Sequence, residues 1–448
     1  LQHIVQYKTL ILRCGFDTKK HGYVNPFMDM VNGEIPRPVD LENEDTYLPV
    51  PFHPTTPYDP SAQYCNIILK DLGNGQLIMT TEENEFFEED MIVEFKYDME
   101  DTNKKGFWHW TPIRVRYDKT SELRSGMKNY GNAYHVANNN WNSIHNPITH
   151  EMISGSGYIP ERSLENDVYY NRTSKDTSTR SLRDFHNLFV KRKLIMGVSQ
   201  RNDTLIDYAV GKAGDLPKWI GAKLKFVFGI DVSRDNIQNK LDGACARYLT
   251  ARKKNRETPT ALFVTGTSSA NIRDGSAFDT ASSKENEITR AVFGEGKKDR
   301  ISLGQGVYEQ YGIAKNGFQV SSIQFAIHYF FENKTVLNQF LKNVSECTKV
   351  GGYFIGTGYD GKRVFDLLKK KNENESIAVI RNERKIYELT KRYSQTGFPI
   401  DENGLGYAID IYQESINKTF REYLVNFEYL SRILDNYGFV IVSDAEAN

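Results

Sequence analysis

From residue 181 onward, apolar runs of strand length alternate with stretches whose apolar residues recur every three to four positions. The runs at 204–210, 225–231, 260–265, 321–327 and 352–357 predict strands. A helix is predicted after Asp235, with Ile237, Leu241, Ala244 and Tyr248 on one face, and another over about 335–347. This alternation predicts a mostly parallel sheet covered by helices. Residues 267–310 are polar and rich in Gly and Ser, which predicts a surface insertion. The first 120 residues read differently. Short runs at 66–69, 77–80, 91–97 and 112–117 are separated by Gly, Pro and Asn/Asp clusters, the pattern of a small β-barrel or sandwich. Residues 151–180, with Ser154-Gly155-Ser156-Gly157 and a polar run, read as a linker. The organisation expected is 1–150, a linker over 151–180, and 181–448.

A chain of 448 residues is too long for one hydrophobic core, which agrees with that division. The net charge of −1, from 57 basic and 58 acidic residues, gives no bulk signal for nucleic acid, so any RNA contact must be local. Cys14, Cys65, Cys245 and Cys347 stand far apart, which excludes a zinc ribbon or a CxxC redox site and suits a reducing, cytosol-like compartment. No run approaches the ~18 apolar residues of a membrane span. Leu1 stands just ahead of a strand-like stretch, which fits either a piece of a longer polypeptide or a trimmed start.

The run ending at Val210 leads into Gly211-Lys212-Ala213-Gly214-Asp215 and then a helix. Gly211 and Gly214 allow a sharp turn and a close backbone approach to a ligand. A second predicted strand ends at Asp231, 16 residues beyond Asp215, where a carboxylate can bind both hydroxyls of a ribose. A lone glycine turn could equally bind a dinucleotide or be a plain βα turn. The GxxGD spacing, the charges of Lys212 and Asp215, and Asp207 as a holder of a cationic methionine group favour S-adenosylmethionine.

Lys240-Leu241-Asp242-Gly243 spells the lysine motif of covalent nucleotidyltransferases, but it falls within the predicted amphipathic helix and reads as a solvated helix face. The segment 321–331 reads as a strand with Gln324, His328 and Tyr329 at its end, where aromatics can stack on a base. A core strand with a satisfied His explains that segment equally well on its own, and Glu422 taken alone is one of many charges.

In order along the chain, Leu182-Arg183-Asp184-Phe185-His186-Asn187 with Lys191, the 207–215 turn, Gly229-Ile230-Asp231, Ser322-Ile323-Gln324-Phe325 with His328-Tyr329-Phe330, Gly351-Gly352-Tyr353-Phe354-Ile355-Gly356-Thr357, and Glu422-Tyr423-Leu424-Val425 resemble the mRNA cap guanine-N7 methyltransferases over roughly 181–440. The resemblance implies a Rossmann-like class I methyltransferase sheet. It implies that Lys191, Asp207, Gly211, Lys212, Gly214, Asp215, Asp231 and Gln324 hold S-adenosylmethionine. His328, Tyr329, Tyr359 and Glu422 would hold the cap guanine. Val93-Glu94-Phe95 and the run from Trp110 to Lys119 resemble the last motif of RNA guanylyltransferases, borne on an OB-fold barrel, and Arg114, Arg116, Asp118 and Lys119 would then touch GTP phosphates. An OB barrel ahead of an N7-methyltransferase resembles the multifunctional capping enzymes of large DNA viruses. That implies triphosphatase and guanylyltransferase domains upstream in the same polypeptide, capped RNA as partner, a place in the host cytoplasm or virus particle, and no membrane. A stimulatory subunit is left unspecified.

The sequence departs from the family in four places. Thr267 stands where an acid usually receives the adenine amino group, with Asp274 as a candidate substitute. Tyr359 stands where Pro is common, and Ala213 where Gly is common. The chain stops at 445–448, soon after strand-like 439–442, without the usual last strand. N7 of guanine already carries a lone pair, so the reaction needs no general base, only positioning, and no metal site is expected. Two rivals remain: an RNA-binding or regulatory module on a degenerate methyltransferase fold, and a small-molecule methyltransferase, against which the Arg114–Lys119 run argues.

Overall fold

The computed structural model describes residues 5–35, 46–99, 104–155, 179–414 and 416–443. Tertiary contacts divide the chain into two units, Leu1–Asn25 with Val39–Glu161, and Pro26–Pro38 with Arg162–Asn448. Most of the expected linker, and the ends at Leu1 and 445–448, lie outside the described residues.

The first unit is built on β1 (Tyr7–Ile11), β2 (Arg13–Asp17), β3 (Tyr47–Pro51), β4 (Tyr64–Ile68), β5 (Lys70–Asp71), β6 (Leu77–Thr80), β7 (Phe86–Phe87), β8 (Val93–Tyr97) and β9 (Trp110–Val115). They pair as β1–β4, β2–β3, β5–β6–β7 and β8–β9, all antiparallel. One core cluster gathers Cys14, Phe16, Phe52, Tyr134 and Trp141, and a second gathers Cys65, Ile67, Met79, Phe87 and Val115. Period-two alternation on β9 buries Val115 and exposes Arg114, whose guanidinium pairs with Glu94 on β8 at 2.9 Å. The expected strand at 112–117 stops at Val115. Helix Tyr117–Arg124 follows, with Asp118 paired to Arg116 at 2.9 Å and Lys119 in its first turn.

The second unit holds five parallel strands, β10 (Thr204–Asp207), β11 (Phe226–Asp231), β12 (Thr260–Thr265), β13 (Phe318–Gln324) and β14 (Thr348–Thr357), in the order β12-β11-β10-β13-β14. Every residue of β10 and β11 is buried, as expected of a parallel sheet covered on both faces. Beyond it, β15 (Ser376–Arg381), β16 (Arg384–Lys391), β17 (Ala408–Gln413) and β18 (Lys418–Tyr423) form an antiparallel meander, with Phe365, Leu389, Tyr407 and Ile409 in its core.

Five expectations need correction. Residues 267–310 are not a surface insertion: helix Lys284–Val292 buries Ile288, Ala291 and Val292 at i, i+3 and i+4, and Ile272 and Phe278 are also in the core. The helix after Asp235 is two helices, Arg234–Gln238 and Ala244–Lys254. Asn239 breaks it, its side-chain oxygen accepting the N–H groups of Leu241 and Asp242, so Leu241 is exposed and Lys240 sits in a turn. The strand expected at 321–331 ends at Gln324, because Phe325 adopts φ +55°, and His328 and Tyr329 lie on a 3-10 turn, Ile327–Phe331. Residues 439–442 form no ladder among the described residues. Finally, helix Pro26–Asn32, expected in the N-terminal segment, belongs to the second unit.

Candidate functional site

The carboxyl ends of β10 to β14 open on one cavity of about 640 Å³, the place where open parallel sheets bind ligands. Its far side is closed by β17 and β18 and by a helical rod made of Arg180–Asp184, a π-helical turn over Phe185–Val190, and Lys191–Val198.

On one wall, the Asp231 carboxylate accepts the Gly211 N–H at 2.8 Å through one oxygen. Through the other it accepts the Ser233 N–H at 2.9 Å and the Asn236 amide at 3.0 Å. Burial nevertheless pushes its pKa up. The Asn236 Oδ1 is buried without a hydrogen-bond partner beside it. Gly211 has φ +54° and nothing within 4 Å of the place a Cβ would take, so its backbone is bared to the cavity. Gln324 is clamped, its amide donating to Ser322 at 3.1 Å and its oxygen accepting from Thr357 at 3.0 Å. Lys191 reaches in from the rod, 5.8 Å above the Phe325 ring and 3.5 Å from Asp215.

On the other wall, His328 and Glu422 are both buried, with Nδ1 3.5 Å from Oε2. Neither ring nitrogen of His328 nor Oε2 of Glu422 has a hydrogen-bond partner. Burial pushes the Glu422 carboxyl up to about 8 and the His328 imidazole down to about 3. The Tyr329 ring meets His328 edge-on at 4.2 Å. The Tyr359 ring meets Phe325 edge-on at 6.4 Å.

Eight residues singled out from the sequence therefore line one cavity: Lys191, Gly211, Asp231, Gln324, His328, Tyr329, Tyr359 and Glu422. Four others do not line it. Asp207 is buried behind the turn, its carboxylate accepting the Ala209 N–H, and burial with the nearby Asp215 raises its pKa to about 7. Lys212 is held by Asp235 at 3.1 Å and Asp242 at 2.8 Å, and Asp215 by Lys218 at 2.8 Å. Gly214 lies between them and is also outside the lining. Asp274 accepts the N–H of Ser276 in its own turn, and Thr267, Ser268 and Ser269 line the cavity instead.

Sequence reasoning missed Ile411, Gln413, Lys418 and Phe420. The signal was available: Lys418, Phe420 and Glu422 alternate along β18 and stand opposite Gln413, Ile411 and Ile409 on β17, so the side chains beyond Glu422 share its face. Among the described residues no helix is long and apolar enough to cross a membrane.

The chain is 30% identical over 365 residues to a probable mRNA-capping enzyme of Acanthamoeba polyphaga mimivirus, across 77% of this chain and 29% of that one. It is 26% identical over 292 residues to an mRNA cap guanine-N(7) methyltransferase of Saccharomyces cerevisiae, across 65% and 58%. The mRNA-capping enzyme of African swine fever virus is 20% identical over 336 residues, across 74% and 33%. The chain thus spans less than two thirds of each of these relatives. The profile of one domain family matches residues 163–448, well over half of the chain and all of the residues around the cavity, and the chain belongs to that family, the mRNA (guanine-N(7))-methyltransferase domain.

Proposed function

We propose that this chain transfers a methyl group from S-adenosylmethionine to N7 of the guanine of a GpppRNA cap. The observation that carries the reading is the pair of buried, unpartnered groups, Glu422 Oε2 and the His328 ring nitrogens. Buried polar atoms without partners are costly, and a ligand edge that satisfies them is favoured. The N1–H and 2-amino group of guanine are two adjacent donors, and a carboxylate is an acceptor-only partner for both. Tyr329 and Tyr359 offer flanking aromatic faces.

The other wall fits S-adenosylmethionine. Asp231 and the unpartnered Asn236 Oδ1 are acceptors for ribose hydroxyls, Gly211 bares backbone to the cavity, and Lys191 offers a cation to a carboxylate. S-adenosylmethionine supplies an electrophilic methyl on a sulfonium. The protein then needs no general base, because N7 carries its own lone pair. Its residues hold the base in line, an arrangement that can contribute about 7–11 kcal/mol. Asp207, Lys212, Gly214 and Asp215 support the reading indirectly, by shaping the turn that presents Gly211.

The first unit is read as a guanylyltransferase-type OB barrel. Its Arg114 and Arg116, paired with Glu94 and Asp118, would exchange those partners for phosphates. Upstream triphosphatase and nucleotidyl-lysine domains, and a host-cytoplasmic or virion setting, belong to the same proposal. The test is incubation with GpppRNA and methyl-labelled S-adenosylmethionine, followed by nucleotide mapping. Label in N7-methylguanosine is expected, and label elsewhere or none contradicts the reading.

A further inference from the structure

Helix Pro26–Asn32 lies far ahead of residues 163–448, the part that matches the domain family, yet it is built into the second unit. Phe27, Met30 and Val31, at i, i+3 and i+4, are all buried. They pack on β12, the edge strand of the parallel sheet, whose outward backbone groups need partners. The Met30 sulfur accepts the Phe263 N–H of β12 at 3.3 Å and lies 3.8 Å from the Cys245 thiol, which donates to it. The fit is backbone against backbone. A Cβ on Gly306 would stand 2.5 Å from the Met30 carbonyl oxygen and 2.8 Å from the Gly33 nitrogen.

The covered elements carry the Asp231 side of the cavity. Strand β12 runs directly into Gly266 and Thr267, which line it, and the Gly266 N–H donates to the Asp231 carbonyl at 2.9 Å. Helix Arg234–Gln238, which also packs on Pro26–Asn32, carries the Asn236 amide that holds the Asp231 carboxylate. The base wall, by contrast, is built from β18 and from the segments that follow β13 and β14, across β10 from β12.

We propose that Pro26–Asn32 is an edge cover supplied in cis that sets the cofactor half-site, with Met30 as a positioning residue for Asp231. The inference rests on reading the Asp231 wall as the cofactor half-site. Three full-length variants test it: Met30→Ala, Met30→Leu, and Gly306→Ala, which pushes the helix off its seat without touching its side chains. Calorimetry measures S-adenosylhomocysteine and GpppG binding well below each melting temperature. Met30→Ala and Gly306→Ala are expected to weaken S-adenosylhomocysteine roughly tenfold, with GpppG affinity within about twofold of wild type, and Met30→Leu, which keeps the packing but loses the acceptor for the Phe263 N–H, should fall between Met30→Ala and wild type. Unchanged S-adenosylhomocysteine affinity beside a lowered melting temperature would reduce the helix to a stabiliser and overturn the proposal. Equal weakening of both ligands would overturn it as well. A wild-type chain that binds no S-adenosylhomocysteine is a distinct result, which overturns the cofactor reading and this inference with it.

Discussion

The Glu422 carboxylate faces the His328 imidazole across 3.5 Å, both buried, without a hydrogen bond between them. Ordinary acid–imidazole pairs at this range attract each other and both ionise. Here burial works against both charges, holding the carboxyl up at about 8 and the imidazole down at about 3, so near neutrality both are uncharged. On the proposed reading, a guanine edge would supply the missing donors and draw the carboxylate form out.

Glu422→Gln keeps the shape and loses one acceptor and the charge. Activity on GpppRNA is expected to fall ~10- to 100-fold, the scale of hydrogen bonds to charged groups at roughly 1.5–3 kcal/mol. S-adenosylhomocysteine affinity should stay near wild type, since Asp231 is on the other wall. Poor cofactor binding with normal cap binding would show the two half-sites to be exchanged.

The same residue sets a stability trend with pH. A free carboxyl titrates near ~4.3, whereas folded Glu422 titrates at about 8. Between those values the folded chain holds a proton that the unfolded chain has lost, so this group's contribution to stability is full below the window and is lost as pH rises through it. Urea unfolding at about pH 5 and about pH 8 should show wild type losing more stability than Glu422→Gln. A parallel pH dependence in the two proteins would place the carboxyl in water.

Asp231 makes three hydrogen bonds that orient it toward the cavity. Asp231→Ala is expected to cost roughly 1.5–3 kcal/mol of cofactor affinity, as for a charge-assisted hydrogen bond. Calorimetry with S-adenosylhomocysteine measures it, and an unchanged dissociation constant would remove Asp231 from the site.

Ala213 sits at φ +53°, a left-handed conformation that costs a residue with a Cβ about 1–2 kcal/mol. Ala213→Gly removes that strain and adds back about 0.5–1 kcal/mol of unfolded-chain entropy. A gain of up to about 1 kcal/mol is expected, seen as a rise of roughly 2–4 °C in Tm. A lower Tm would mean that the buried methyl contributes more by packing than it costs in strain.

Lys240 lies in the turn after Asn239, not in a strand-flanked nucleotide pocket. Incubation with labelled GTP and divalent metal is expected to give no covalent GMP adduct. A labelled band that survives denaturation and disappears in Lys240→Ala would make the KxDG lysine a nucleophile after all.

Local rules alone determined a good deal here. Buried strands such as 226–231 and 260–265 are continuous apolar runs bounded by turns, so a parallel sheet was legible, and the acids and aromatics at strand ends followed from it. Ala213 was visible as a substitution, but its left-handed backbone was not. Tertiary packing decided the rest. Lys212 and Asp215 carry the charges of a cofactor turn, yet ion pairs with Asp235, Asp242 and Lys218 hold them outside the cavity lining, and no spacing rule foretells such pairing. The 267–310 stretch looked polar because its apolar residues recur at helical spacing among many charges, and only the body beneath it decides that they are core. Helix Pro26–Asn32 has too few residues to be stable alone, and its place is set by an unpaired strand edge more than two hundred residues away, at Phe263.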